Sequence, residues 1–172
     1  MKYSKWILLA TTLAAAPGAA SAQAVLTERT ISIAAAMQAA TAALEQCRKD
    51  GHIVVVTVID HAARNKVVLS EDGVRPHAFE HAYRKAFTAL TYRTPSVEYG
   101  KRAAANFPAS IGGLNLSHIT TAGGGLPIRA GKDVIGAIGI SGSAGSQGIS
   151  GGVFDDKCAQ AGIDRIAAGL GG

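Results

Sequence analysis

Cys47 and Cys158 are the only cysteines in this 172-residue chain, and each falls on an apolar stripe of helical period near one end of it. Ile33, Met37, Ala40, Leu44 and Cys47 follow one another at steps of three and four, and Phe154, Cys158, Gly162, Ile166 and Leu170 at steps of four. That spacing lines one face of a helix, so both thiols face a core. A bridge between them forces the first and last helices side by side and closes everything between into one unit. The other reading, two buried free thiols, leaves that contact open. No C-x-x-C pair supports a cysteine metal site.

The N-terminus bears on which reading holds. Lys2 and Lys5 precede an apolar run over residues 6–16, Pro17-Gly18 interrupts it, and Ala20-Ser21-Ala22 follows. A charged start, a short apolar run and a small-residue site make a secretory signal. The run is shorter than the roughly 20 residues that span a bilayer, so no stable membrane insertion is expected. Residues 1–22 are read as a signal peptide and residues 23–172 as one domain, periplasmic or secreted. An oxidising compartment favours the disulfide. Without residues 1–22, Lys+Arg falls from 17 to 15 against 12 acidic residues, and the net charge from +5 to +3. Arg84-Lys85 and Lys101-Arg102 are isolated pairs, not a basic tract, so nucleic acid is not an expected partner.

Residues 27–50 read as the first helix, with Thr27 as cap and Arg48 and Lys49 in the last turn. The valine-rich run 53–59 reads as a buried strand, and residues 66–70 as its antiparallel return. Phe79, Tyr83, Ala86 and Leu90 mark a helix over residues 77–92. Thr94-Pro95 opens a second, shorter helix that ends near Ala105. Eighteen of the 21 glycines stand at or beyond Gly100, so the second half is built on turns and close backbone approaches. Residues 126–129 and 134–140 read as strands about a Gly131-Lys132-Asp133 turn. The glycines of "GAIGISG" thin one strand face, and a last helix covers residues 153–170. Antiparallel pairs separated by helices indicate an α+β layer structure.

His77-Ala78-Phe79-Glu80-His81 matches H-x-x-E-H, a zinc-hydrolase pattern. A third ligand at a useful spacing is missing, Glu98 being the nearest downstream carboxylate, so no zinc is expected. Gly123-Gly124-Gly125 reads either as a nest of free N–H groups for an anion or as a tight loop or bulge. Ser141 and Ser143 have no evident His/Asp partners in the sequence.

"VTVIDHAARNKVVLSEDGVRPHAFEHAYRKAFTALTYRTPS", "GGGLPIRAGKDVIGAIGISGS" and "CAQAGIDRI" together resemble the GlcG/HbpS family of small heme-binding proteins, over nearly the whole chain from about Leu26 to Gly169. Matching positions include Asp60, Asp72-Gly73, Pro76-His77, Arg84-Lys85-Ala86, Arg93, Gly124-Gly125, Pro127-Ile128 and Gly139. Two departures stand out. Ala63-Arg64 replaces a glycine usual in the first turn, and Ser70 stands where an arginine is common.

The resemblance implies a profilin-like three-layer fold, with a five-stranded antiparallel sheet between helices, and homo-oligomeric assembly. It also implies heme or another tetrapyrrole as ligand, in some members with sensing or heme-degrading roles. On this reading His77 is the first candidate for the heme iron and His81 the second. Arg84, Lys85 and Arg93 meet carboxylates, Phe79, Phe87 and Ile128 form apolar walls, and Gly123, Gly124, Gly125 and Pro127 close one composite pocket. Two other functions compete with it. One is a cofactor-independent enzyme acting on a small organic acid, with His77 as acid/base and the glycines stabilising an anion. The other is an accessory or structural subunit of an oligomer.

Overall fold

The computed structural model describes residues 25–146 and 148–171; the expected signal peptide lies outside them. In chain order the elements are α1 (Ile33–Lys49), β1 (Val55–Asp60), β2 (Asn65–Ser70), α2 (His77–Tyr92), α3 (Ser96–Ala105), α4 (Ile111–Leu114), β3 (Gly125–Ala130), β4 (Asp133–Ser141) and α5 (Gly151–Ile166), with a 3-10 turn at Ala167–Gly169. The sheet is antiparallel, in the order β2-β1-β4-β3.

Four strands, not the five implied by the resemblance, make this sheet. The chain ahead of α1 meets it through one backbone bond, Ile31 N–H to the Ile135 carbonyl at 3.0 Å, with no ladder. Between α3 and β3 the Gly112-Gly113 stretch winds into the short α4. Neither segment has the apolar alternation that a strand needs to bury one face.

Successive residues of the central strands point to opposite faces. Val54, Val56, Val58, Ile138 and Ile140 pack toward α1 and α5, together with Leu126 and Ile128 of β3. On the other face, Val55, Ile59 and Ala137 meet the alanines of α2. Three layers result, α1/α5, sheet, and α2.

The helices dock through their smallest residues. The core face of α1 is Ala36, Ala39, Ala40, Ala43 and Cys47, while Ile33 and Met37, expected inside, are 54% and 43% exposed. The reason is the approach of α5: a Cβ on Gly162 would lie 2.6 Å from the Ala39 carbonyl oxygen. The Cys47–Cys158 disulfide clamps that contact, with a Cα–Cα distance of 5.4 Å. Likewise α2 buries Ala78, Ala82, Ala86 and Ala89 and leaves Phe79 45% exposed. Gly139 of β4 makes room for α2, because a Cβ there would sit 2.1 Å from the Ala82 carbonyl oxygen.

Local details differ from the sequence reading at the ends. Ser32, not Thr27, caps α1 through its hydroxyl, which accepts from Ala35 N–H at 3.2 Å. Thr94 does not cap α3; Pro95 holds that position without a side-chain bond. In the β1–β2 turn, Asp60 accepts from the N–H groups of Ala62 and Arg64 at 2.9 and 3.0 Å and from Arg64 Nε at 2.9 Å. Burial opposes its charge, but these bonds outweigh it and hold the carboxyl below its usual range. Inside that turn Ala63, one of the departures from the family pattern, adopts a left-handed φ of 61°.

Candidate functional site

Every predicted cation and histidine of the site lies on or just after α2, and the helix distributes them by angle and depth. At 1.5 Å per residue, His77 and Arg93 are about 24 Å apart along the axis. They serve different clefts.

His77, the first helical residue, is exposed and borders a cleft of about 260 Å³ shared with His52, Arg75, Gly73, Gly142 and Ala144. The His52 ring lies against Phe154 with centroids 4.7 Å apart. One turn further, His81 is half-buried against the sheet. Its Nδ1 is 3.3 Å from Ser141 Oγ and its Nε2 is 3.3 Å from Thr120 Oγ1, a serine–histidine contact that the sequence did not reveal. Desolvation, reinforced by the charges of Lys85, Arg84 and His77, lowers its pKa to about 4, so at neutral pH the ring is uncharged. Glu80 between the two histidines faces solvent, 3.7 Å from Arg84 Nη1.

Arg84 and Lys85 diverge by the 100° between consecutive helical residues. Arg84 Nη2 donates to the Ile119 carbonyl at 2.6 Å, and its Nε is buried without a partner. Lys85, expected to meet a ligand carboxylate, is instead 2% exposed, and its Nζ donates to Asp155 Oδ2 at 2.7 Å. The flexible stem lets the ammonium reach inward to the one carboxylate that α5 buries.

The triple glycine is a close-packed crossing, not a nest of free donors. Gly124 N–H donates to Asp156 Oδ1 at 2.6 Å and Gly125 N–H to Ser96 Oγ at 3.0 Å. A Cβ on Gly124 would lie 2.7 Å from the Asp155 Cβ, and one on Gly125 would lie 2.1 Å from the Lys85 carbonyl oxygen. Burial raises the Asp156 pKa, opposed by the Gly124 N–H and by Lys85. Pro127 lies on β3, an edge strand, where a missing N–H is tolerated. Ile128, expected as a ligand wall, is fully buried on the opposite, α1/α5 side.

Arg93 ends α2 in a left-handed conformation, φ 52°, and its carbonyl accepts from Arg129 Nη2. Its side chain borders the larger cleft, about 740 Å³, formed by residues 27–29, the end of α2 and the β3–β4 turn. Phe87 and Leu90 give that cleft apolar walls; Arg29 and His61 add polar ones. Arg29 is held by Asp133 at 3.4 Å and by the Ala130 carbonyl at 3.3 Å. His61 Nε2 meets Glu28 Oε2 at 2.5 Å, and its Nδ1 is buried with no partner.

The structure therefore joins His81, Lys85 and the glycine loop through Ser141, Thr120, Asp155 and Asp156, and separates His77 and Arg93 from one another. The residues that sequence reasoning missed are Asp155, Asp156, His52, His61 and Glu28. Asp155 had a signal: it stands beside Phe154 and Cys158 on a core-facing helix, where a carboxylate demands a cation.

Comparison with known proteins places this arrangement. The family model described as haem degrading protein HbpS-like matches residues 31–164. The solved structure of a double mutant of HbpS from Streptomyces reticuli is 33% identical, with a TM-score of 0.73 over 88% of this chain and 97% of that one. The structure of a PduOC:heme complex is 27% identical, with a TM-score of 0.67 over 80% of this chain and 95% of that one. An uncharacterized 15.0 kDa protein from the dhaT-dhaS intergenic region of Citrobacter freundii is 32% identical over 121 residues, 69% of this chain and 84% of its own length. With the family model matched over residues 31–164 and the HbpS fold shared at 33% identity, this chain belongs to the HbpS-like family.

Proposed function

We propose that the protein is an exported tetrapyrrole-binding protein, taking up heme or a close relative of it, as a homo-oligomer with a sensing or heme-degrading role. The observation that carries the reading is the similarity to PduOC, whose structure is a heme complex. The chain's own chemistry fits such a ligand. The larger cleft sets the exposed Arg93 beside the apolar Phe87 and Leu90, a cation and walls of the kind that a macrocycle with carboxylates calls for. Of the two α2 histidines, His77 is the one a ligand reaches; both ring nitrogens of His81 are engaged.

Titration of the purified protein with hemin tests the reading. A saturating, shifted Soret band at one heme per chain is expected, and the spectrum of free hemin throughout would overturn it. Export is supported by the Cys47–Cys158 disulfide, a bond typical of oxidising compartments. N-terminal sequencing of periplasmic or secreted material is expected to begin near Gln23; retention of residues 1–22 refutes that part. Self-association is supported by Phe107, Ile111 and Leu116, 65%, 41% and 56% exposed on one short segment. Native mass spectrometry reads the stoichiometry, and a monomer at micromolar concentration refutes assembly.

The organic-acid enzyme finds less support. Its anion site would need the glycine N–H groups and Lys85, and Gly124, Gly125 and Lys85 are all engaged internally.

A further inference from the structure

We infer that the smaller cleft, at the start of α2, is a site for a short-chain carboxylate, held by Arg75, His52 and His77 against Ile53 and Val74. It is a second ligand site, independent of the tetrapyrrole reading.

Charge is the first indication. Arg75, His52 and His77 line this cleft, and no aspartate or glutamate does. The cleft at Arg93 carries Glu28 and Asp133, and the groove of Met37 and Arg165 carries Glu45. Of the acidic residues adjacent in the chain, Asp50 is held by Lys157 and Glu71 by Arg48, each at 2.8 Å. Asp72 is exposed and does not line the cleft. A recess whose lining charge is of one sign concentrates counter-ions of the other.

The donors are also unspent. Among the described residues, the histidine rings with polar partners are those of His61 and His81, so the rings of His52 and His77 have none. The paired arginines are Arg29, Arg48, Arg64 and Arg84, and Arg75 is not among them. A guanidinium forks a carboxylate through two parallel N–H bonds. In either protonation state each imidazole offers at least one N–H donor besides.

Size and walls narrow the class. At about 260 Å³ the cleft lies below the range of about 300–1,000 Å³ that drug-sized ligands occupy. Ile53 is 53% exposed and Val74 half-buried beside the donors, and covering them favours a ligand with a hydrocarbon part. Inorganic phosphate would meet the cations and leave both side chains wet.

The walls are held in place before any ligand arrives. His77 is the first residue of α2. His52 N–H donates to the Cys47 carbonyl at 2.9 Å, and the His52 ring lies 4.7 Å from that of Phe154, which ties the residue to the bridged pair α1 and α5. Gly142 brings the end of β4 onto the same turn: a Cβ there would sit 2.4 Å from the Ile53 carbonyl oxygen. Little ordering remains to oppose binding.

Nuclear magnetic resonance titration of the full disulfide-bonded protein, with ¹⁵N-labelled histidine, tests the assignment. Butyrate is added at constant ionic strength, with sodium chloride as the blank. Saturable shifts of the His52 and His77 rings are expected, with His61, in the larger cleft, unmoved. Arg75→Gln should lose about tenfold in affinity with its charge-assisted fork, whereas Arg165→Gln, which removes the same charge elsewhere on the surface, should bind as the parent does. Ile53→Ser should weaken butyrate several-fold and leave acetate unchanged. Ala144→Trp, at an exposed position lining the cleft, should abolish saturation, with circular dichroism as the check on folding. Parent-like binding by Arg75→Gln or Ala144→Trp, or shifts that merely follow the chloride blank, overturns the site. Inorganic phosphate binding as tightly as butyrate overturns the carboxylate class. Displacement of butyrate by hemin, or loss of hemin affinity in Arg75→Gln, would give these donors to a tetrapyrrole's own carboxylates and overturn a separate site. Absence of any hemin complex refutes the tetrapyrrole reading and leaves this one standing.

Discussion

Replacing Lys85 by methionine removes half of an ion pair sealed inside the protein. The Nζ to Asp155 Oδ2 distance is 2.7 Å, and both side chains are 3% exposed. Methionine preserves the length of the aliphatic stem but strands the Asp155 carboxylate, left with only a 3.3 Å bond from Ser143 N–H. Breaking a buried pair in this way costs about 3–5 kcal/mol, because the remaining charge has neither water nor a counterion. With a urea dependence of about 2 kcal/mol per molar, the unfolding midpoint should drop by about 1.5–2.5 M. At about 2–4 °C per kcal/mol for a domain of this size, Tm should fall by about 6–20 °C. Asp155→Leu in the same background removes the stranded charge and should recover most of the loss, since a buried pair is rarely worth more than a well-packed apolar substitute. Urea unfolding of the parent, both single variants and the double variant closes the cycle. A Lys85→Met loss below about 1 kcal/mol, or a coupling below about 1 kcal/mol, refutes the reasoning. Hemin affinity measured well below the lowered Tm should stay within about twofold of the parent, because the ammonium is closed to any ligand.

Reduction of Cys47–Cys158 releases a closure of 111 residues, worth about 4.7 kcal/mol on loop-entropy grounds; calorimetry with and without reductant reads it, and an unchanged Tm refutes it. Ala63→Gly relieves a left-handed alanine and should stabilise by about 0.5–1 kcal/mol after the entropy of the unfolded glycine is counted; destabilisation would show that the turn is not strained. His81 titrates near 4 in the folded protein and near 6.5 when unfolded. The unfolded chain therefore binds the extra proton between those values, and stability should decline as pH falls from about 6.5 to about 4. The full shift corresponds to about 3.4 kcal/mol, reduced to about 1–2 by solvent screening at a half-exposed ring; His81→Asn should flatten the urea midpoint across that window, and an unchanged slope refutes the assignment.

Much of the architecture was legible in the chain. Short β-branched runs bounded by turn residues locate β1 to β4, and helical periods locate α2 and α5, to within a few residues, since a strand buried on both faces writes composition into the residues and a helix buried on one face writes its period. The two cysteine stripes foretold the pairing of α1 with α5. What misled was side-chain size. Ile33, Met37 and Phe79 are large apolar residues on the helical stripes, yet they are exposed and alanine faces dock instead. Hydrophobicity along one helix does not report how closely its neighbour approaches. That distance is set by Gly162 against Ala39 and by Gly139 against Ala82, contacts between residues far apart in the chain.

The site divides the same way. By itself the sequence determined the helix that carries His77, His81, Arg84, Lys85 and Arg93, and their order along it, because local spacing fixes position on a helix. Tertiary structure alone decided which of these groups remain open. Asp155 arrives from α5, 70 residues further on, to neutralise Lys85; Ser141 and Thr120 close on His81; the segment before α1 brings Glu28 to His61. Whether a charge is free or paired depends on what the fold places within about 3 Å of it, and no periodicity in a single chain encodes that distance.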